Sequence, residues 1–284
     1  MNNNERYYLR GGRLFFRTDG GEYVINYDRP IGNVFPYRYD NRYWIAKSGT
    51  NVALLDDAGE FIIPFSYECE RVEDVSEGIA IMRKMVAVNR VEWIGGFYYA
   101  LEPVQRYGAF NIETREWIIN PESSNFTLMH GFRYGFCNVR TEDEREGFIN
   151  KSGELVKTGY LATHPFTEAG RAVFVNEKRQ IGFVDTELKE RILKGTYGFF
   201  GATNFHAMNF HAMNFHVANG KILSSAILVD DKDDETWVII DENEKIIHRA
   251  ETGKFLGFDD EKKAFFELSS DYQNDGAEEK YLEF

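Results

Sequence analysis

Residues 52–82 read VALLDDAGEFIIPFSYECERVEDVSEGIAIM, and this stretch decides the fold. It alternates short apolar runs with turn-like residues: ALLD ends at Asp56, FII ends before Pro64, and GIAIM begins at Gly78. Gly59 supplies the positive φ that a tight hairpin turn requires. Runs this short, rich in β-branched and aromatic residues, are typical of strands and too short for stable helices. The stretch therefore predicts short antiparallel strands joined by tight turns.

The first of these runs belongs to a pattern that recurs along the chain, an apolar run closed by Asp or Asn. Its copies are YVIN (23–26), ALLD (53–56), GAFN (108–111), GFIN (147–150), GFVD (182–185) and VIID (238–241). After most copies come a few turn-like residues and a second apolar run. Unequal spacing around this constant strand–turn–strand core indicates a repeat with loop insertions, which we place near 84–106 and 195–218. We predict one domain, 1–284, of about five to six units and roughly 15 to 20 short strands, with a polar C-terminal tail from about 269.

The repeats resemble the WG-repeat, or KWG-repeat, family of bacterial proteins. The family pattern is roughly K-W-G-[FY]-I-D-K-x-G-x-V-I-P-x-x-Y-D, followed by F-S-E-G-L-A-x-V. Residues 52–82 are in register with it at Asp56, Gly59, Ile62, Ile63, Pro64, Tyr67, Ser76, Glu77, Gly78 and Ala80. Residues 147–175 are in register at Gly147, Asn150, Gly153, Phe166, Glu168 and Gly170, and the stretch from Gly182 keeps the first half. The Trp-Gly signature is absent, because no tryptophan precedes a glycine. The resemblance implies an interaction role, without a settled reaction or cofactor.

Two architectures fit units of three or four antiparallel strands. One is a β-propeller of five or six blades, and the other is an open, curved β-superhelix, which tolerates uneven insertions. Closure removes exposed strand edges, and this favours the propeller. The fold prediction is therefore an all-β repeat array of short antiparallel strands, β-propeller-like, with the open superhelix as the alternative.

Composition narrows the classes of partner. The 33 Lys and Arg residues face 46 Asp and Glu residues, giving a net charge of −13. This balance argues against nucleic acid and anionic membranes as general partners, because phosphate contacts need a cationic face. We expect no transmembrane helix, since no run of 18 apolar residues occurs. The N-terminus lacks the pattern of a secretory signal, so we predict a cytoplasmic protein with reduced Cys69 and Cys137.

Motifs of catalysis and cofactor binding are missing from the sequence. It holds no G-x-x-x-x-G-K-[ST], G-x-G-x-x-G, H-E-x-x-H or G-x-S-x-G, so we predict no enzyme activity, catalytic residue or cofactor. The stretch NFHAMNFHAMNFHVA at 204–218 raises the question of a metal site built from His206, His211 and His216. A step of five residues turns successive histidines to opposite faces of a strand, or about 140° apart on a helix. We therefore predict no metal site there, and interpret the stretch as a duplication within a surface insertion.

The remaining candidates are aromatic side chains in insertions. Phe97, Tyr98 and Tyr99 follow Gly95-Gly96 and are our candidate partner contact, the alternative being a buried bridging strand. Exposed aromatics suit protein partners or sugars. The sequence thus predicts a non-enzymatic interaction module that presents variable loops to another protein. The first alternative is a carbohydrate or small-ligand binder using loop aromatics. A hydrolase with residues gathered from several blades remains a third hypothesis. The sequence leaves the partner and the oligomeric state open.

Overall fold

The computed structural model describes most of the chain. The described residues are 7–11, 13–18, 21–25, 31–40, 42–87, 92–94, 97–99, 103–193, 215–218, 221–229, 235–241, 243, 245–250, 255–259, 262, 264–268 and 280–282. They form 28 strands and one short 3-10 helix, Phe65–Tyr67. Residue contacts divide the chain into two compact units, Met1–Pro165 and Phe166–Phe284.

The first unit contains three complete four-stranded sheets, one three-stranded sheet and a separate hairpin. Its strands in chain order are β1 (Tyr7–Arg10), β2 (Arg13–Thr18), β3 (Gly21–Ile25), β4 (Asn33–Pro36), β5 (Tyr43–Ser48), β6 (Asn51–Asp56), β7 (Phe61–Ile63), β8 (Arg71–Ser76), β9 (Ile79–Val86), β10 (Glu92–Ile94), β11 (Phe97–Tyr99), β12 (Val104–Asn111), β13 (Glu116–Ile119), β14 (Phe126–Met129), β15 (Phe136–Thr141), β16 (Glu146–Asn150), β17 (Leu155–Tyr160) and β18 (Ala162–Thr163). The sheets are β1-β2-β3, β4-β5-β6-β7, β8-β9-β12-β13 and β14-β15-β16-β17, and the hairpin is β10-β11.

The second unit repeats the same arrangement. Its strands are β19 (Arg171–Val175), β20 (Ile181–Asp185), β21 (Glu190–Ile192), β22 (Phe215–Ala218), β23 (Lys221–Val229), β24 (Glu235–Asp241), β25 (Ile246–Arg249), β26 (Phe255–Asp259), β27 (Ala264–Leu268) and β28 (Lys280–Tyr281). β19, β20 and β21 pair in chain order, as do β22 to β25 and β26 to β28.

Each sheet formed by the described residues is an antiparallel meander, the strand arrangement of a propeller blade, and none of these sheets closes on itself. The prediction of an all-β repeat array of short antiparallel strands is confirmed. The predicted number of strands, roughly 15 to 20, was lower than the 28 observed, because the first strand of a sheet is hard to recognise in the sequence. β8, for example, reads RVEDVS, and its charged residues leave no continuous apolar run to mark it as a strand.

The sheets are offset from the sequence repeats. At Asp56, Asn111, Asn150 and Asp241, the closing residue ends the third strand of a four-stranded sheet, and the run after the turn is the fourth strand. The next apolar run, such as GIAIM from Gly78, is the second strand of the following sheet. Residues 52–82 therefore span two sheets, with the 3-10 helix at the crossing between them.

The closing Asp or Asn caps the turn that follows it. Asp56 Oδ1 accepts hydrogen bonds of 2.9 Å from the backbone N–H groups of Ala58 and Glu60. At the markers Asn150, Asp185 and Asp241, the side-chain oxygen likewise accepts from the N–H groups of the second and fourth residues after it. Asn176 forms the same two bonds in the turn between β19 and β20. Short side chains that accept from their own backbone favour such turns. The repeat marker is thus a turn-forming residue.

A glycine three residues before the marker has a different role. A Cβ added to Gly147 would lie 2.1 Å from the carbonyl oxygen of Lys157, and one added to Gly182 would lie 2.7 Å from that of Arg191. Both carbonyls belong to the fourth strand. A glycine in this position lets the fourth strand approach closely where the ladder shifts register, as it does between Glu146 and Gly147.

Apolar side chains fill the space between successive sheets of the first unit. In β9, Ala80 and Met82 pack toward the preceding sheet, whereas Ile79 and Ile81 pack toward the following one. This alternation is the period of two expected for a strand. Both faces of the inner sheets are therefore buried, which explains why their central strands are almost wholly apolar. In the second unit, Leu223 and Ile239 pack with Leu256 and Phe265.

The structure gives narrower limits to the predicted insertions. β9 and β12 pair along their whole length, so the insertion predicted near 84–106 comprises 87–103. Of the insertion predicted near 195–218, residues 195–214 lie outside the described part of the chain, but Phe215–Ala218 is β22 and pairs with β23. Within the predicted polar tail, Lys280–Tyr281 pairs with β27.

Candidate interaction surface

The insertion at 87–103 is added to its sheet without disturbing it. β9 and β12 stay paired residue for residue, from Ile79 opposite Asn111 to Val86 opposite Val104. Beyond the last pair, Trp93 pairs with Tyr98 in the separate hairpin of β10 and β11. We call 87–103 the hairpin insertion. Its position at the end of an intact ladder allows its sequence to vary without cost to the sheet.

The candidate contact residues Phe97, Tyr98 and Tyr99 form β11 of this insertion. β11 pairs with β10 in a two-stranded sheet of its own, and the structure assigns it to none of the larger sheets. The alternative, a buried bridging strand, depends on the burial of these side chains and stays open. The side chains of these residues lie outside the described part of the structure, so their role as a partner contact stays a prediction.

The two stems of the insertion carry buried cations that the sequence reasoning missed. Lys84 of β9 lies opposite Arg106 of β12, so both side chains project from the same face. Their side chains are only 12% and 8% exposed, and adjacent like charges repel. Each cation has a carboxylate partner: Lys84 Nζ lies 2.7 Å from Glu122 Oε1, and Arg106 pairs with Glu142. The Lys84 ammonium also lowers the pKa of Glu122. These ion pairs fix the stem to the loops beside it.

The opposite end of this sheet is held to its neighbours by its turns. Glu77, in the turn between β8 and β9, accepts a 3.0 Å hydrogen bond from the backbone N–H of Gly135 and pairs with Lys151 at 2.9 Å. Partial burial opposes ionisation of Glu77, but these two partners prevail and lower its pKa. Arg115 reaches Glu60 of the preceding sheet at 2.6 Å. The turn end is therefore cross-linked, and antiparallel connectivity places the hairpin insertion at the other end.

A buried carboxylate joins three sheets of the first unit. Asp74 Oδ1 accepts from the Tyr37 hydroxyl at 2.9 Å, and Oδ2 accepts from Ser76 Oγ and Arg133 Nη1, both at 3.0 Å. Burial, with the Asp74 carboxylate, raises the pKa of Tyr37. A Cβ on Gly131 would fall 1.2 Å from Asp74 Oδ2, so the cluster depends on that glycine. Because donors already occupy both oxygens of Asp74, the arrangement suits a structural tie and not a catalytic base.

The described residues form no candidate metal centre. There, no three His, Cys, Asp or Glu side chains are grouped as metal ligands. His206 and His211 lie outside the described residues, and His216 is part of β22, opposite Leu223. The absence of a metal site at this stretch stays a prediction. In the second unit, His248 Nε2 lies 2.5 Å from Oε1 of the buried Glu267. Both cysteines are free and buried.

A shallow cleft of about 440 Å³ lies beside β3 in the first unit. It is lined by Phe16, Tyr23, Val24, Ile25, Ala58 and Gly59. Three lining residues come from β3 and two from the turn between β6 and β7. Its lining side chains are apolar apart from the Tyr23 phenol, although polar atoms also contribute to its surface. The cleft can therefore take an apolar side chain, and its lining residues offer no acid–base pair.

Comparisons with known proteins identify no family. No family model matches the chain, and no curated protein matches it. Among solved structures, a eukaryotic initiation factor is 8% identical with a TM-score of 0.39, over 90% of this chain and 78% of that one. The WD40 β-propeller domain of Doa1 is 12% identical with a TM-score of 0.35, over 95% and 88%. PorZ, a bacterial surface component of the type-IX secretion system of Porphyromonas gingivalis, is 8% identical with a TM-score of 0.31, and this chain spans 38% of its length.

No helix in the described ranges has the length and apolar character to span a bilayer.

Proposed function

We propose that this chain is a non-enzymatic interaction module whose β-repeat scaffold presents variable loops to a protein partner. The observation that carries the proposal is the hairpin insertion, which extends from a ladder of eight uninterrupted residue pairs between β9 and β12. A binding element on a fixed stem loses little freedom when its partner binds, because the stem is already ordered. Membership of the WG-repeat family and a cytoplasmic location are part of this proposal.

The scaffold supports the proposal through its rigidity. Capped turns recur along both units, and ion pairs fix the insertion stem on one side and the turn end on the other. The ionisable groups with clear partners serve these ties. The Asp74 carboxylate is saturated by donors, as described above, and the cysteines are buried. The described residues therefore offer a frame for loops, in which we find no assembled acid–base pair beside a cleft.

Removal of the hairpin insertion tests the proposal. Residues 87–103 are replaced by Asn-Gly, which closes two antiparallel strands with a type I′ turn. We expect a melting temperature within a few degrees of the parent, since the β9–β12 ladder is kept. Quantitative pull-down from the native host should lose the proteins that the parent captures.

A second variant separates the aromatic side chains from the loop itself. Phe97, Tyr98 and Tyr99 are changed together to Thr, which retains strand propensity. Tyr39→Thr is the matched control, because Tyr39 is 70% exposed and lies in the turn between β4 and β5. Capture lost in the triple variant and kept in the control is the expected result. Unchanged capture by the insertion-deleted chain would refute the proposal.

The alternative proposal is carbohydrate or small-ligand binding by loop aromatics. It predicts a thermal shift with a glycan panel that disappears when 87–103 is removed. Such a shift would show that the hairpin insertion binds a sugar, and the proposal of a protein partner at this surface would be abandoned.

A further inference from the structure

The first sheet of the first unit ends on an edge strand. β3 pairs with β2 from Leu14 opposite Ile25 to Thr18 opposite Gly21. In the described part of the chain, no strand pairs with the other edge of β3. The equivalent strands, each ending in the repeat marker, all carry a fourth strand at that edge; these are β6, β12, β16, β20 and β24. Among the described strands, β3 is therefore a third strand that lacks the fourth-strand partner found in the other repeats.

Ile31 and Gly32, the first described residues after β3, contact the next sheet. In the other sheets, the fourth strand begins at the fifth residue after the marker, as Phe61 does after Asp56. The equivalent residue after Asn26 is Ile31, which is buried against the core between the first two sheets. The N–H of Gly32 already donates to the carbonyl of Lys47 at 2.8 Å, and β4 begins at Asn33. The chain thus enters the next sheet where its fourth strand would start.

The edge of β3 is apolar and adjoins the cleft. Tyr23 and Val24 are 56% and 40% exposed, which is high for strand residues of this kind. Ile25 and Phe16 line the same cleft, with Ala58 and Gly59 on its other side. An exposed apolar edge next to a pocket is the geometry used for strand addition, in which the backbone gives affinity and the pocket gives specificity.

The chain's own fourth strands show what side chain would enter the cleft. In four of the five, a large apolar residue lies opposite the residue just before the marker: Phe61 opposite Leu55, Trp117 opposite Phe110, Leu155 opposite Ile149, and Ile246 opposite Ile240. The exception is β21, where Glu190 lies opposite Val184. The equivalent position in β3 is Ile25. An added strand therefore places a large apolar residue opposite Ile25, at the cleft.

Charge at the rim defines the rest of the occupant. The turn that lines the cleft reads Asp56-Asp57-Ala58-Gly59-Glu60 and contains three acidic residues and no basic one. Asp57 and Glu60 are exposed, and Glu60 also pairs with Arg115. A Lys or Arg beside the apolar anchor would complement this rim. A second copy of the chain is disfavoured, because a net charge of −13 opposes self-association.

We propose that the edge of β3 is a docking site for an extended, basic segment of another protein, which adds to the first sheet as its fourth strand. The segment places a large apolar side chain in the cleft between Tyr23 and Gly59, and Lys or Arg beside Asp57. The proposal rests on the proposed function in taking a protein as the partner, and it uses a surface other than the hairpin insertion.

A labelled peptide, KKEFIIVK, tests the site on the full chain by fluorescence anisotropy. Between its lysines it carries Glu60, the three residues of β7 and a valine in place of Pro64. We expect saturable binding, with slower backbone hydrogen exchange confined to 21–25. The same peptide with one of its two isoleucines replaced by proline should bind at least about tenfold more weakly, because proline has no backbone N–H to donate to the edge of β3. EEEFIIVE should bind more weakly, and the difference should shrink at high salt.

Two variants of the chain locate the peptide. Ala58→Trp fills the cleft and should weaken binding at least about tenfold. Ser152→Trp, at the same turn position in another sheet, should leave binding unchanged. Equal binding to both variants, exchange protection outside β3, or no saturation at millimolar peptide would overturn the proposal. Concentration-dependent dimers with β3 protected would also overturn it, since the occupant would then be a second copy. Replacement of 87–103 should leave peptide binding intact, so this site and the proposed function can fail separately.

Discussion

Gly147 offers the sharpest test of how the repeat is built. It is the glycine of GFIN, three residues before the marker Asn150, and it faces the fourth strand of its sheet. In Gly147→Ala the new Cβ would lie 2.1 Å from the carbonyl oxygen of Lys157 and 2.9 Å from Thr158 Cα. Both contacts are with backbone, so no side-chain rotation can relieve them. β17 must move away from β16 by roughly 1 Å.

The expected cost combines two effects. Overpacking of a tightly packed site costs about 1–3 kcal/mol. A displaced β17 also weakens the adjacent ladder bonds, each with a net value of about 1 kcal/mol. We therefore expect Gly147→Ala to lower the free energy of unfolding by about 3 kcal/mol. With a urea dependence of about 1–3 kcal/mol per molar, the midpoint should fall by about 1 M or more.

Gly32→Ala is the matched control. Its Cβ would have one neighbour within 4 Å, the Lys47 carbonyl oxygen at 3.9 Å. Because its φ is not positive, alanine is compatible with the site, and the loss of unfolded-state entropy makes the change neutral or slightly stabilising. Urea unfolding followed by tryptophan fluorescence and circular dichroism measures all three chains. A Gly147→Ala midpoint that coincides with that of Gly32→Ala would refute the close approach of the fourth strand.

Two further predictions concern groups outside the proposed surfaces. Burial raises the pKa of Cys69 to about 12, so at pH 8 its thiolate is scarce and a thiol reagent should label neither Cys69 nor Cys137 until urea unfolds the chain; rapid labelling of the native protein would contradict their burial. Deletion of 204–213 removes two copies of the histidine stretch and keeps β22, so the melting temperature should change by only a few degrees, with no zinc-dependent rise in either chain. A large zinc-dependent rise in the parent that vanishes on deletion would make the histidines a metal site.

The features that the sequence predicted well are local ones. A strand of period two, the turn after it and the Asp or Asn that caps the turn all involve residues within about five positions of one another. The interactions that form them can therefore be recognised in a single copy of the repeat, such as the one around Leu55-Asp56-Asp57. The repetition of that unit made the all-β prediction secure. The offset between repeat and sheet was missed because the turn signal is equally strong within a sheet, at Asp56, whereas the crossing to the next sheet at Phe65–Tyr67 has no such marker.

Contacts that depend on stacking could not be predicted from the sequence. Tyr37, Asp74 and Arg133 meet only because three sheets place them together, and no spacing in the sequence links them. The stem cations Lys84 and Arg106 become neighbours only when the ladder register is known. In the sequence, Lys84 and Arg106 look like ordinary charged residues, and only the strand register shows that they are neighbours.

The edge of β3 lies between the local features and the stacking contacts in how far it could be predicted, because the sequence shows only part of the evidence for it. YVIN at 23–26 matches the repeat, yet the residues after it, YDRPIG, contain no second apolar run. Taken alone, that departure fits a degenerate first copy. The structure adds that Ile31 and Gly32 serve the next sheet while Tyr23 and Val24 remain exposed. A missing strand in one unit of a repeat is informative because the other units specify the side chain that would fill its place. The apolar anchor opposite Ile25 therefore follows from β7, β17 and β25, and the binding segment can be designed from this chain before its partner is known.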